Sequence, residues 1–390
     1  MIKSISMQNV LSFGSNEPSL ELGPLTALIG PNGGGKSNVL EVIYLLSRLP
    51  AAGPETSLPV VDWIWKGAGT DAVARLEVLL DGIDMWRAPI LRHRLEFRSA
   101  AQRFTVHDEV IENSEITDPS AKRPFFFFRY DHGRALFAGP GDGAQPKRTL
   151  RREELDPERS VLAQRNDPDE YPAIAHIRAA FEGIRLYRDI NFGGNSPTRR
   201  PQRTDLPTRA LLEDGSNLGL ILNRLNAHAP SQRQLLEHLK KFYAPAERAD
   251  VQIEGGTAQI YVTEENWTMP GTRLSDGTMR WLTLLAILLD PSPPKLVCLD
   301  EPDLGLHPDI LPTLADLLIS ASERMQVVIT THSDALVDAL SDRPECVVIC
   351  EKHEGTTTLR RLSRDELAVW LQKYSLGELW TSGQIGGRRF

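Results

Sequence analysis

Gly30-Pro31-Asn32-Gly33-Gly34-Gly35-Lys36-Ser37 lies between the β-rich run Leu25-Thr26-Ala27-Leu28-Ile29 and a segment where Val39, Val42, Ile43, Leu46 and Leu49 recur at helical spacing until Pro50. Strand, glycine loop and helix in that order give the phosphate-loop pattern its physical meaning. Three successive glycines let the backbone take positive φ. Several N–H groups can then converge on the β- and γ-phosphates of a nucleotide at the helix N-terminus. Lys36 adds a point charge there, and the Ser37 hydroxyl is placed to ligate Mg²⁺. Gly30, Asn32, Gly33, Gly34, Gly35 and Asn38 complete the candidate nucleotide-binding set. The bland alternative is a glycine turn with an incidental Lys-Ser.

Further along, Leu296-Val297-Cys298-Leu299-Asp300-Glu301 reads as a buried strand ending in two acids. Asp300 is then held at the carboxyl end of a sheet, where it can bind the Mg²⁺ shell. Glu301, one step nearer solvent, is the candidate general base for an attacking water. Taken alone the segment would be a strand with a solvated acidic pair; beside a phosphate loop it supplies the second half of a site. Leu274-Ser275-Asp276-Gly277-Thr278 precedes an apolar helix, Met279 to Leu289, and lies 25 residues before Asp300. Ser275 and the Gly277 N–H form a second anion site at that helix start. One helix start cannot easily serve a phosphate already held by another loop of the same chain, so this one is expected to face a second molecule. Val327-Val328-Ile329-Thr330-Thr331-His332-Ser333 ends a third apolar strand in a histidine, 31 residues after Glu301.

These elements, together with Pro302-Asp303-Leu304-Gly305-Leu306-His307-Pro308, occur in the order seen in ABC-type ATPase heads, which the chain resembles. Leu-Ser-Asp-Gly-Thr stands where a transporter-like head has Leu-Ser-Gly-Gly-Gln, and the whole looks like the RecF/SMC/OLD branch and not like a transporter subunit. The resemblance is best over residues 1–50 and 265–335. It is less specific at Ser160-Val161-Leu162-Ala163-Gln164 and Leu376-Gly377-Glu378-Leu379-Trp380. It implies an α/β P-loop head with an antiparallel β-subdomain and a short helical lobe, using ATP and Mg²⁺ and hydrolysing ATP to ADP and phosphate. It also implies Gln164 as a catalytic and metal-sensing residue, Asp303 in a D-loop crossing a dimer interface, and His332 contacting the γ-phosphate. As partners it implies a homodimer formed on ATP binding and DNA, acted on in repair or phage defence. The other reading is a switch controlling a separately encoded effector protein, with no nucleic acid. Two departures matter. The long coiled coil of the family gives way to a helical insertion, and no nuclease or TOPRIM-like acidic cluster follows the ATPase elements.

The rest of the chain bounds these readings. Of 390 residues, 41% are apolar and 25% charged, as expected of a folded protein and not of dominant disorder. A net charge of 44 − 52 = −8 argues against coating nucleic acid by bulk charge, while leaving room for a local basic groove. Arg199, Arg200, Arg203 and Arg209 are the candidate phosphate contacts. The polar segment Gly193 to Pro207 that carries most of them is expected to be mobile, or else a solvated linker. Cys298, Cys346 and Cys350 lie in or beside apolar runs and fit core packing; Cys346, Cys350 and His353 lack a fourth metal ligand, and the three cysteines form no disulfide framework. The apolar run Leu284 to Leu289 falls far short of the ~20 residues needed to span a bilayer, and the N-terminus shows no signal pattern. A cytoplasmic protein with no membrane contact is expected.

Antiparallel hairpins are expected from about Ala72 to Asn113, continued by Phe125 to Phe128 unless those four mark an exposed patch. Gly139 to Gln145 reads as a loop, and Lys147 to Arg152 as a solvated charged face or a phosphate-tracking strip. Helices are expected between 168 and 245, on Ile174, Ile177, Ala180, Phe181 and Ile184 and then on Leu218, Ile221, Leu222 and Leu225. Ser363-Arg364-Asp365-Glu366 reads as a capping box. The expected division is 1–164 for the N-terminal part of the head, 165–250 for the helical lobe and 251–390 for the C-terminal part.

Overall fold

The computed structural model describes residues 1–16, 18–51, 59–69, 72–83, 88–116, 122–131, 134–138, 148–151, 155–188 and 190–387. Its centre is a six-stranded sheet in the spatial order Ile184–Tyr187, Leu296–Asp300, Gln326–Thr330, Leu25–Ile29, Val347–His353, Thr356–Arg361. The first five are parallel neighbours, and Thr356–Arg361 closes one edge antiparallel. These strands read as unbroken apolar runs because both faces are covered. Leu28, Cys298, Val328, Val348 and Cys350 face one cluster, with Val39, Leu40, Ile43 and Leu46 of the helix Lys36–Arg48. Ala27, Ile29, Val297, Leu299, Val327, Ile329 and Ile349 face the other, with the helices Asp276–Leu288 and Leu311–Ser322. Cys346 joins this second cluster, on the opposite face from Cys298 and Cys350. Burial pushes the Cys346 and Cys350 thiols up to about 12.

Over the outer side of the helix Lys36–Arg48 lies an eight-stranded antiparallel sheet. Its order is Ser19–Glu21, Ile2–Gln8, Ala74–Ile83, Ala88–Ala100, Arg103–Asn113, Phe126–Asp131, Arg134–Phe137, Arg148–Arg151. The helix packs its apolar residues against both sheets, so chain ends far apart in sequence share one core. Phe127 and Phe128 are buried and Phe126 lies beneath the Arg129 guanidinium, which favours the strand reading of the phenylalanine run. Gly139 to Gln145, Lys147 and Arg152 lie outside the described residues; Arg148–Arg151 is the last strand.

Three expectations change. The helix Pro172–Glu182 stops before Gly183, and Ile184, expected to extend it, opens the edge strand of the central sheet. Four residues of alternation are too few to betray a strand; parallel pairing of Ile184–Tyr187 with Leu296–Leu299 decides it. The helices Leu218–Ala227 and Ala229–Phe242 pack on a small sheet of Gln202–Arg203, Thr257–Glu264, Ala246–Glu254 and Trp267–Pro270. The segment 193–207 feeds that sheet, where Gln202 pairs with Ala258, and is tied to the first of those helices, with Gln202 Oε1 accepting from the Gly219 N–H at 2.6 Å. Ser363 makes no side-chain cap bond; the reciprocal capping box forms at Ser375 and Glu378, where Leu376, Leu379 and Trp380 dock into the core. No helix among the described residues is long and apolar enough to cross a membrane.

Candidate functional site

The glycine loop leaves a fully buried strand and turns sharply into the helix Lys36–Arg48, with Gly30, Gly33 and Gly35 at φ 140, 74 and 105°. A Cβ on Gly30 would sit 2.1 Å from the Cys350 carbonyl oxygen, and one on Gly34 2.6 Å from the same atom. The loop therefore lies flat on the neighbouring strand, and only glycine fits. Gly30→Ala combines that clash with a left-handed conformation, each costing about 1–3 kcal/mol. Urea unfolding should show the loss as a lower midpoint at unchanged slope. Ser12, Asn38 and Thr357 brace the loop: the Asn38 amide and the Thr357 hydroxyl both donate to Ser12 Oγ, at 2.6 and 2.7 Å. Asn38 thus holds the loop's frame through its side chain. Asn32, Gly33 and Ser37 are exposed at the mouth.

Lys36 is buried, and its ammonium donates to the Gly30 and Pro31 carbonyls at 2.8 and 3.0 Å. Burial holds the ammonium below the usual lysine range, opposed by Cys350, Glu301 and Asp300 in that order. The cation of the loop and the two acids of the strand end thus share one electrostatic site.

One hydroxyl organises those acids. Thr330 Oγ1, on the adjacent strand, donates to Asp300 Oδ1 at 2.5 Å and accepts the Glu301 N–H at 3.0 Å. Glu301 takes a left-handed backbone (φ 48°), which turns the chain abruptly out of the sheet after Asp300. Its carboxylate is part-exposed, 3.7 Å from His332 Nε2. On the other side Arg188 Nε lies 3.2 Å from Asp300 Oδ2, and the same guanidinium pairs with Glu41 on the phosphate-loop helix. Sequence reasoning does not single out Thr330, Arg188 or Glu41. Thr330 stands in the strand that ends in His332, and a hydroxyl beside an acid-ended strand is the available signal.

Ser275 is exposed and caps the helix Asp276–Leu288, its Oγ accepting from the Thr278 N–H at 3.1 Å. A Cβ on Gly277 would lie 3.6 Å from the Gly305 carbonyl, so this helix start abuts the loop that follows Glu301. Burial raises the Asp303 carboxyl in that loop, against a hydrogen bond from Thr331. Gln164 behaves differently. Its amide donates to the Asp156 and Arg159 carbonyls and accepts from the Asp156 N–H. None of those partners belongs to the phosphate loop or the acidic strand end.

The arginine segment needs correction. Arg199 is 3% exposed, and its guanidinium donates to the carbonyls of Phe192, Gly271 and Leu274 and to Asp276. It is a structural member of the turn around Leu274-Ser275-Asp276, the signature turn, and not a phosphate contact. Arg203 is exposed but paired in a fork with Asp205. Arg200 and Arg209 are exposed.

The fold agrees with what the chain resembles among known proteins. Its backbone superposes on an Smc head bound to the C-winged helix domain of ScpA, with TM-score 0.57 and 15% identity, covering 94% of this chain and 99% of that one. A second Smc head with an extended coiled coil, bound to the C-terminal domain of ScpA and derived from Pyrococcus furiosus, gives 0.56 and 14%, covering 95% and 98%. In sequence the chain is 32% identical over 111 residues to ABC transporter A family member 2 of Arabidopsis thaliana, which is 27% of this chain and 11% of that protein. It is 26% identical over 136 residues to the Old nuclease of Escherichia phage P2, covering 32% of this chain and 23% of the nuclease. The chain thus spans under a quarter of either relative's length. Residues 25–338 match the AAA_21 family, described as "AAA domain, putative AbiEii toxin, Type IV TA system". That match takes in the loop, both acids, the signature turn and His332, and the chain belongs to this family, as an SMC/OLD-like ABC-type ATPase with the head fold of P-loop NTPases.

Proposed function

We propose that the chain hydrolyses ATP to ADP and phosphate, at a site that a second copy of the chain completes. The observation carrying this reading is the gathering of Lys36, Asp300, Glu301 and His332 at one end of the central sheet, while Ser275 caps an exposed helix start on a separate loop. Lys36 and the loop N–H groups hold the β- and γ-phosphates. Ser37 and Asp300 offer hard oxygen donors of the kind Mg²⁺ takes, and they would hold the ion, which when bound neutralises phosphate charge. Glu301 takes the proton of the attacking water, and His332 steadies both Glu301 and the γ-phosphate. Thr330 keeps the two acids in register. Ser275, Gly277 and Asp303 act across the dimer, so that ATP closes two heads and hydrolysis reopens them. Gln164 enters as a sensor only if the 156–160 turn releases its amide.

The output we propose is action on DNA, in repair or phage defence, inside the cytoplasm; the likeness to a phage nuclease supports it. The second reading, a switch for a separately encoded effector, draws support from the burial of Arg199 and from Smc heads that carry a bound ScpA domain. Changing Arg200, Arg203 and Arg209 together to Glu separates the two. If DNA is the output, affinity falls and the slope of log K against log salt flattens by about one for each phosphate no longer held. Wild-type protein that ignores DNA at low salt and carries a stoichiometric protein partner establishes the effector reading instead.

A further inference from the structure

We propose that Arg199 is a positioning residue for the signature turn, fixing Ser275 and the start of its helix in the pose that meets the partner's nucleotide. The inference rests on the shared-site reading above and deepens it. Arg199 lies in the insertion, 76 residues before Ser275, yet both of its terminal guanidinium nitrogens are engaged at this turn, while Nε is held within the insertion. Nε donates to the Phe192 carbonyl at 2.6 Å. One terminal nitrogen donates to the Gly271 and Leu274 carbonyls at 3.0 and 2.5 Å, and the other to Asp276 Oδ1 at 2.5 Å. Gly271 opens the 3₁₀ turn Gly271–Arg273, Leu274 precedes Ser275, and Asp276 follows it. The grip therefore brackets Ser275 on both sides, while its hydroxyl stays on the helix start with Thr278.

The burial asymmetry shows the direction of the grip. Arg199 is 3% exposed, whereas the Asp276 side chain is 74% exposed. The cation reaches from the interior to a carboxylate on the outer rim. A buried charge with four acceptors is tolerated only when its geometry is satisfied. The planar fork of arginine meets acceptors spread around it, while a lysine ammonium presents its donors from a single point. The same segment also touches the helix one turn on, where Arg280 lies 4.8 Å over the Phe192 ring. A Cβ on Gly305 would sit 3.6 Å from Arg280 Nε, so the clamp and the loop carrying Asp303 meet at one guanidinium. Any movement of the insertion against the sheet is thereby delivered to both elements that the dimer interface needs.

The test uses the full chain in two measurements. In the first, amide exchange is followed without nucleotide. Arg199→Ala should speed exchange at 272–279 by about tenfold or more and leave 36–48 as in wild type. Asp276→Asn, which trims only the exposed end of the clamp, should act in the same place and less. Equal exchange in variant and wild type, or equal acceleration in both segments, overturns the proposal. In the second, separately tagged chains are isolated as heterodimers. Arg199→Ala alone should bind ATP normally while turnover falls ~10²-fold, the scale of an ångström misplacement at a reacting centre. Paired with Lys36→Ala it should regain one working site, because its own phosphate loop then meets a wild-type signature. With both changes on one chain against a wild-type partner, no site should work. Activity in that last pairing overturns the proposal, as does silence in the mixed pairing, which marks a chain damaged throughout. If wild type never dimerises with ATP, the shared-site reading fails, and the exchange experiment still decides whether Arg199 holds the turn.

Discussion

Glu301→Gln leaves ATP binding in place and lowers turnover by ~10²–10⁴-fold, the usual cost of removing a general base. The size of the effect follows from the surroundings of Glu301. Its left-handed backbone and the bond from its N–H to Thr330 fix where the side chain starts, and neither depends on the carboxylate. Glutamine keeps the shape and the hydrogen-bonding reach but cannot accept the proton of an attacking water. His332, 3.7 Å away, loses an anionic neighbour and keeps its own place on the strand end. The ATP-bound state then has no exit, so the variant accumulates as a dimer visible by light scattering. A Glu301→Gln chain that turns over at the wild-type rate removes Glu301 from the chemistry.

Lys36→Ala and Ser275→Arg each lower turnover too, and they do so at different steps. Lys36 is buried among loop carbonyls and feels the charge of both acids, so its loss weakens ATP binding in the chain that carries it. Isothermal titration should report that directly. Ser275 caps a helix on another loop, and arginine there fills an exposed helix start without touching the chain's own phosphate loop. The Ser275→Arg chain should bind ATP with wild-type affinity and stay monomeric. Both variants lose ~10²-fold or more in rate, because each homodimer would have a defect at every nucleotide.

What the sequence discloses about this molecule divides along a physical line. Strand, loop and helix around Gly30, the acid pair after Leu299 and the cap at Ser275 are local features, each set by the residues that compose it, and all stand where the spacing places them. Side-chain partnerships over long sequence separations are a different matter. Arg188 joins Asp300 to Glu41, and Arg199 reaches Leu274, only after the insertion folds back onto the sheet. An arginine-rich polar stretch looks the same whether its charges face solvent or acceptors of the protein itself. The edge strand Ile184–Tyr187 and the small sheet under 246–270 are hidden for a related reason: short strands acquire their identity from pairing. The two Ser-x-x-Glu segments near the C-terminus read alike, and both of their helices bury residues in the core, yet only the one at Ser375 closes its box.

The shared site is the central claim, and mixing the two variants tests it most directly. A heterodimer of Lys36→Ala with Ser275→Arg places both defects at one nucleotide and leaves the other with wild-type Lys36 and wild-type Ser275. Measured by light scattering with ATP and Mg²⁺, each variant alone should remain a monomer, and the equimolar mixture should shift to the mass of a dimer, with hydrolysis above that of either component. A mixture that stays monomeric and hydrolyses no faster than the average of its parts, or a Ser275→Arg chain that hydrolyses ATP at full rate as a monomer, contradicts the account.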